Sequence, residues 1–314
     1  MNRGMTEDAG ARFRQAAALL PSRLRQAAEK LSWEQQCRAE ELRLRNGYPI
    51  TVSGPEGERV IPGCEQFPLT ERDLGQVLEI ATQASAHTVL EQVRNGFVTV
   101  KGGHRIGICG SGVVRDGEVC NLRRLSSLSI RVARSVPGIS AGILDGLTVN
   151  GLLQSTLILS PPGGGKTTLL RDIIRAVSDG DGVTPMRVGI ADERGELAAM
   201  YDGLPQLDVG RRTDVLDGCP KGTALLMLLR GMNPQVLAAD EITAPADCAA
   251  LEAAANCGVT LLATAHASGT EDLSSRPLYR RLLDAGIFRR VVLIRGSGRS
   301  RTYQVKRLEG GVAC

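Results

Sequence analysis

The stretch Leu157-Ile158-Leu159-Ser160-Pro161-Pro162-Gly163-Gly164-Gly165-Lys166-Thr167-Thr168-Leu169-Leu170 limits what this chain can fold into more than any other. A short apolar run reads as a buried strand. A Pro/Gly turn follows, and Thr167 to Ile174 reads as a helix. Strand, glycine loop, Lys-Thr and helix in that order make a phosphate-binding loop. Glycines let successive backbone N–H groups turn toward one anion with no Cβ in the way. The helix N-terminus adds unpaired N–H groups and the positive end of a dipole. Pro162, Gly163, Gly164, Gly165, Lys166, Thr167 and Thr168 are therefore expected to hold the phosphates of ATP. Lys166 should reach the β- and γ-phosphates, and the Thr167 hydroxyl should ligate Mg²⁺. The pattern G-x-x-x-x-G-K-[ST] departs at its first position, where Ser160 stands for glycine. If the backbone there needs a positive φ, serine costs about 1 kcal/mol.

A chain of 314 residues suggests two domains. Hydrophobic residues make up 42%, ample for a core, but aromatics only 3%, so that core must be Leu, Val, Ile and Ala. A net charge of +4 is too mild to imply a nucleic-acid partner by itself. No apolar run approaches the roughly 18 residues of a membrane span. Met1 to Gly10 carries Glu7 and Asp8 and does not read as a signal peptide. The eight cysteines show no C-x-x-C spacing, and with only three histidines a zinc site is not expected. Reduced thiols in the cytosol are the simplest expectation.

Residues 1–140 mix helix and strand signals. Phe13 to Leu31 reads as one or two amphipathic helices broken at Pro21-Ser22. Glu40 to Val52 reads as a hairpin around Asn46-Gly47, with a further turn at Gly54-Pro55-Glu56-Gly57. Thr70 and Asp73 mark a helix start. Val98 to Ile108 reads as strand, glycine turn, strand. The arginines that follow (Arg115, Arg123, Arg124, Arg131, Arg134) fit solvated strand faces or a partner surface. His104 reads as a turn residue rather than a ligand. The small, polar stretch from Pro137-Gly138 to Asn150 is the linker candidate. An α+β domain over 1–140 and a nucleotide-binding domain over 141–314 are expected.

In the second half, strands alternate with helices, the pattern of a mostly parallel sheet flanked by helices. Four apolar runs end at Ser160, Asp192-Glu193, Asp240-Glu241 and His266. Ligands of open parallel sheets sit outside the C-terminal strand ends, so these four tips should converge on one nucleotide. Phosphoryl transfer needs cations and oriented donors against the phosphate charge, and a carboxylate to position water. Asp240 is the candidate for holding Mg²⁺ through its water shell. Glu241 and Glu193 are rival water-positioning carboxylates, the alternative for either acidic pair being a helix cap. His266 is a candidate γ-phosphate contact, or simply a satisfied strand-end histidine. Arg211 and Arg212, in a turn-rich loop, are candidate arginine fingers or surface charges. Arg230 is equally undecided. The arginines at 289, 290, 295, 299 and 301 read as a solvated closing hairpin rather than a nucleic-acid patch.

Leu228 to Ile242, with Asn233-Pro234 and Asp240-Glu241, resembles the acidic strand of the hexameric motor ATPases of type II and type IV secretion. Leu262-Ala263-Thr264-Ala265-His266 is similar to their histidine box, and Ile190 to Glu193 to their acidic box. Gly96 to Gly107, Pro161 to Asp172, Asp192 to Ala198 and Arg212 to Lys221 resemble more specifically the stage III sporulation AA family, predicted ATPases of the endospore channel. The resemblance implies an α/β, RecA-like P-loop NTPase domain behind a smaller α+β domain. It implies a homo-oligomer, as a hexameric ring, and partners among inner-membrane channel proteins of a sporulation apparatus. It also implies a cytoplasmic protein held peripherally at that membrane. A nucleic-acid-dependent RecA-like ATPase and a non-catalytic ATP-binding scaffold are the alternative functions.

Overall fold

The computed structural model describes residues 3–82, 96–115, 117–296, 300–309 and 312–313. Arg299, and the Ser297-Gly298 part of the expected closing turn, lie outside them. The chain forms two compact units, Met1–Arg134 with Ala199–Gln206, and Ser135–Ala198 with Leu207–Cys314. The division thus falls six residues before the expected 140/141 boundary. Eight residues from the middle of the second unit also join the first.

The first unit opens with helices α1 (Arg3–Ala17), α2 (Ser22–Glu29) and α3 (Trp33–Arg38). Strands β1 (Glu41–Arg45), β2 (Thr51–Gly54) and β3 (Gly57–Val60) follow, then helix α4 (Glu71–Thr82), and strands β4 (Phe97–Thr99), β5 (Arg105–Arg115) and β6 (Glu118–Arg131). Asn46-Gly47 and Gly54 to Gly57 turn the chain where expected, and the strands pair antiparallel in the order β3-β2-β1-β6-β5-β4. Leu42 and Leu44 alternate inward with Ile106, Ile108, Leu128 and Ile130, and Phe13 and Leu74 from the helices, with Leu20 between α1 and α2, close the core. Asp73 accepts from the Thr70 N–H at 2.8 Å, the expected helix start. The arginine group is dispersed. Arg131 pairs with Glu41 at 3.3 Å, and Arg134 donates to Cys37 O and Ala39 O at 3.0 and 2.5 Å. Arg115, Arg123 and Arg124 are exposed on the far half of the β5–β6 hairpin.

The second unit begins with a short helix α5 (Leu144–Leu147) and a small hairpin, β7 (Thr148–Val149) and β8 (Leu152–Leu153). Strand β9 (Thr156–Ser160) leads through the glycine loop to helix α6 (Lys166–Asp179), and β10 (Val188–Asp192) follows. Strands β11 (Met200–Tyr201) and β12 (Leu204–Pro205) are the excursion to the first unit. Then come β13 (Thr213–Asp217), α7 (Lys221–Gly231), β14 (Val236–Ala239), α8 (Pro245–Asn256), β15 (Thr260–His266), α9 (Thr270–Ser274), α10 (Pro277–Asp284), β16 (Arg290–Arg295), β17 (Thr302–Glu309) and β18 (Val312–Ala313).

The sheet order is β13-β10-β14-β15-β9-β16-β17-β18. The first six run parallel and the last two turn antiparallel. Every residue of β9, β10 and β14 is buried, as a sheet covered on both faces requires. This explains the unbroken Val/Ile/Leu/Ala runs. The stretch from Pro137 is no loose linker at its start. Asp172 of α6 accepts from Gly138 N and Ser140 N, both at 2.8 Å, and from Ser140 Oγ at 2.6 Å.

Candidate nucleotide-phosphate site

Parallel pairing sets His266 opposite Ser160, and Ala239 beside Ala191 and Ala263, so the strand tips finish level. Around them Gly163 and Gly165 take φ of 72° and 93°, values a side chain would resist. Gly164 is required by space. A Cβ there would lie 2.1 Å from Ser160 Oγ and 2.7 Å from Ser160 Cβ. Ser160 has no positive φ, so the serine carries no left-handed strain. Its hydroxyl donates to Pro161 O at 2.8 Å, and its side chain occupies the space that Gly164 leaves.

Lys166 opens α6 and is buried. Its Nζ donates to Ser160 O at 3.2 Å and Pro161 O at 3.3 Å, and lies 2.8 Å from His266 Nδ1. Burial pulls the ammonium pKa below the ordinary lysine value, with Asp240 and Glu241 acting the other way. Thr167 Oγ1 donates to Asp240 Oδ2 at 2.6 Å, and Thr264 Oγ1 to Asp240 Oδ1 at 2.5 Å. Glu241, at φ 51°, is bonded through Oε1 to His266 Nε2 at 2.7 Å and through Oε2 to Arg194 at 2.9 Å. Glu193 pairs with Lys221 at 2.9 Å, and both line one small cleft with Asp240 and Glu241. Thr168 is half-buried in the first turn of α6, and Pro162 is exposed on the loop.

Thus Lys166, His266 and Glu241 form one bonded chain beside the Thr167–Asp240 pair, with Glu193 on the same cleft. Arg211 and Arg212 lie elsewhere. Arg211 N and Nε donate to Asp179 Oδ1 at 2.9 and 3.4 Å, and Arg212 N to Ser178 Oγ at 2.7 Å. These partners end α6, 12 and 13 residues or about 18–20 Å along the helix from Lys166. Arg230, in the last turn of α7, is exposed.

Three residues escaped the sequence reading. Lys221 is only 3% exposed, a buried ammonium countered by Glu193. Pro220 before it reads as a helix start, but nothing local marks burial. Arg194, which follows the first acidic pair, reaches the second through Glu241. Arg301, expected in a solvated hairpin, lies against the loop, with Nη2 3.3 Å from Gly163 O.

The residues present fit Mg²⁺ and a triphosphate. The donor set is hard oxygen, a hydroxyl and a carboxylate, and the loop has the glycine-only space a phosphate approach requires.

The sequence model of the family described as sporulation stage III, protein AA matches residues 11–307. The chain belongs to the sporulation stage III protein AA family. Stage III sporulation protein AA of Bacillus subtilis (strain 168) is 37% identical over 298 residues, covering 94% of this chain and 95% of that protein. Among solved structures, the pilus retraction motor PilT with bound ADP superposes with a TM-score of 0.59 at 17% identity, over 86% of this chain and 80% of that one. The ATPase DotB of Yersinia pseudotuberculosis gives 0.57 at 15%, over 92% and 79%. These likenesses make the fold of the protein AA family member RecA-like, with a mostly parallel sheet in the nucleotide-type unit. They extend to the pilus retraction motor PilT and the ATPase DotB as a fold.

Proposed function

We propose that the chain is an ATP-hydrolysing motor of a bacterial sporulation export or channel apparatus. The observation that supports this best is the continuous bonding of Lys166, His266 and Glu241 beside the Thr167–Asp240 pair. Lys166, the loop N–H groups and the start of α6 would bind the phosphates. Thr167 and Asp240 would hold Mg²⁺, Asp240 through the ion's water shell. The ion would supply neutralising charge at the phosphates. Glu241 is the favoured water-positioning carboxylate, because His266 ties it to the lysine that grips the transferring group. His266 then carries the state of the phosphates from Lys166 to Glu241. Glu193, across the cleft and held by Lys221, supplies a second negative charge, and its rival claim as the base is tested below.

The protein would work as a homo-oligomer, a hexameric ring in the cytoplasm, docked peripherally on inner-membrane channel proteins. The pilus retraction motor PilT, with bound ADP, and the ATPase DotB share this fold, which supports the motor reading by analogy only. Arg211, 84% exposed, and Arg212 are suited to act across a subunit interface, since neither reaches the loop of its own chain.

ATP turnover of the purified chain tests the proposal, with Lys166→Ala expected to abolish it. Undiminished turnover in that variant refutes the assignment. Turnover that rises steeply with single-stranded DNA or RNA would favour a nucleic-acid-dependent ATPase. ATP binding without turnover, in the unaltered chain and in Glu193→Gln and Glu241→Gln alike, would favour a scaffold.

A further inference from the structure

Arg301 precedes β17, on the antiparallel side of the sheet, yet its guanidinium lies on the phosphate loop. A Cβ at Gly165 would sit 2.9 Å from its Nη1 and 3.0 Å from its Cζ. The only hydrogen bond of this side chain among the described residues is the 3.3 Å one to Gly163 O. Its Nε is buried without a partner among those residues. Three other arginines of this unit are answered by carboxylates. Arg175 pairs with Asp172 and Asp181, Arg194 with Glu241, and Arg211 with Asp179. A guanidinium has five donors and cannot shed its charge, so placing it partly desolvated beside a loop, with no described carboxylate in ion-pair reach, is costly unless an anion completes it.

We propose that Arg301 is a second cationic ligand for the phosphate chain of the nucleotide, supplied from within the same subunit. This rests on the nucleotide reading of the site. A planar fork meets phosphate oxygens with two parallel donors, a geometry a lysine cannot reproduce. Gly165 is then doubly determined. Its φ of 93° favours glycine, and a side chain would displace the arginine.

The test uses the full chain, a fluorescent ATP analogue as reporter, and competition by inorganic tripolyphosphate, ATP and adenosine. Arg301→Gln should weaken tripolyphosphate and ATP about ten-fold and leave adenosine unchanged, and Arg301→Lys should fall between. The loss should shrink as salt screens the charge. Equal tripolyphosphate binding in the unaltered chain and Arg301→Gln overturns the inference. So does an equal loss for adenosine and tripolyphosphate, which would mark a loop support only. Should Arg301→Gln fail to fold, Arg301→Lys decides by the same comparison. If the unaltered chain binds neither ATP nor tripolyphosphate, the nucleotide reading falls and takes this inference with it. If Lys166→Ala loses binding while Arg301→Gln does not, only the present inference falls.

Discussion

His104 should make the first unit lose stability in mild acid. The ring is fully buried, and Nδ1 accepts the Ala133 N–H at 3.1 Å, so the neutral ring carries its proton on Nε2. Nε2 has no hydrogen-bond partner among the described residues. Burial first, then the charge of Arg12, push the pKa down to about 4, against an ordinary value of 6.5. Protonation would also convert Nδ1 into a donor facing a donor. The sign follows. Below pH 6.5 the unfolded chain takes up a proton that the folded one refuses. The contribution is therefore complete above about 6.5 and is lost as pH falls toward 4. At about 1.4 kcal/mol per unit, the drop reaches about 3 kcal/mol. His104→Asn keeps an acceptor near the Nδ1 position and removes the titration. Asp192, raised by burial, works in the opposite direction, so the difference between the two proteins is the quantity to measure. Denaturant unfolding at pH 7, 6, 5 and 4, followed by a probe in residues 1–134, should show the gap moving in favour of His104→Asn by about 3 kcal/mol. A pH-independent gap refutes the reasoning.

Asp172→Asn removes the charge that answers Arg175 and weakens three bonds to Gly138 and Ser140. Burial alone would raise this carboxyl, but those bonds hold it below the ordinary value. A loss of about 3 kcal/mol in denaturant unfolding is expected. Lys221→Met leaves Glu193 without its counter-ion. If Glu193 positions water, ATP turnover at saturation should fall ten-fold or more while nucleotide affinity holds, and unchanged turnover would assign that role to Glu241 alone. Gly164→Ala should lose ATP binding by roughly a hundred-fold, since its Cβ meets Ser160. Adding Ser160→Gly should restore part of it, because the two nearest atoms belong to that serine, and no rescue in a binding titration would sink the packing argument.

Much of this fold could be read from local signals that are strong in a chain. The glycine loop, the apolar runs ending in polar residues, and Asn46-Gly47 each name a strand end or a turn without outside help. Arg301 could not be read that way. Its role depends on β16 and β17 folding beside β9, a contact across 138 residues to Gly163. The same holds for Ala199–Gln206. Their place in the first unit rests on Gly102 N donating to Gln206 Oε1 at 2.9 Å and on Arg12 donating to Gln206 O at 3.5 Å, pairings with no sequence period. Arg211 and Arg212, candidate fingers or surface charges in a turn-rich loop, have their backbone N–H groups held by Asp179 and Ser178 at the end of α6, a tie no local signal marks.

The two Asp-Glu pairs show most sharply what sequence withholds. In sequence each is an acidic dipeptide closing an apolar strand, and both share one cleft. Yet Asp192 is buried and accepts the N–H groups of Glu196, Leu197 and Ala198 at 2.8 to 3.2 Å. Asp240 instead accepts two hydroxyls. What separates them lies downstream. Gly195, at φ 63°, lets the chain curl back over Asp192, and Arg171 holds Glu196 O and Leu197 O, both at 2.6 Å. After Asp240 the chain instead takes its left-handed step at Glu241, whose N–H is held by Thr264 Oγ1 at 2.8 Å. The first aspartate is therefore consumed in shaping a turn, which leaves only Glu193 of that pair facing Lys221. The second keeps both residues at the loop, Asp240 against Thr167 and Glu241 against His266. A carboxylate satisfied by three backbone donors has little capacity left for an ion. Of the two aspartates, Asp240 is the one whose partners an incoming Mg²⁺ can replace.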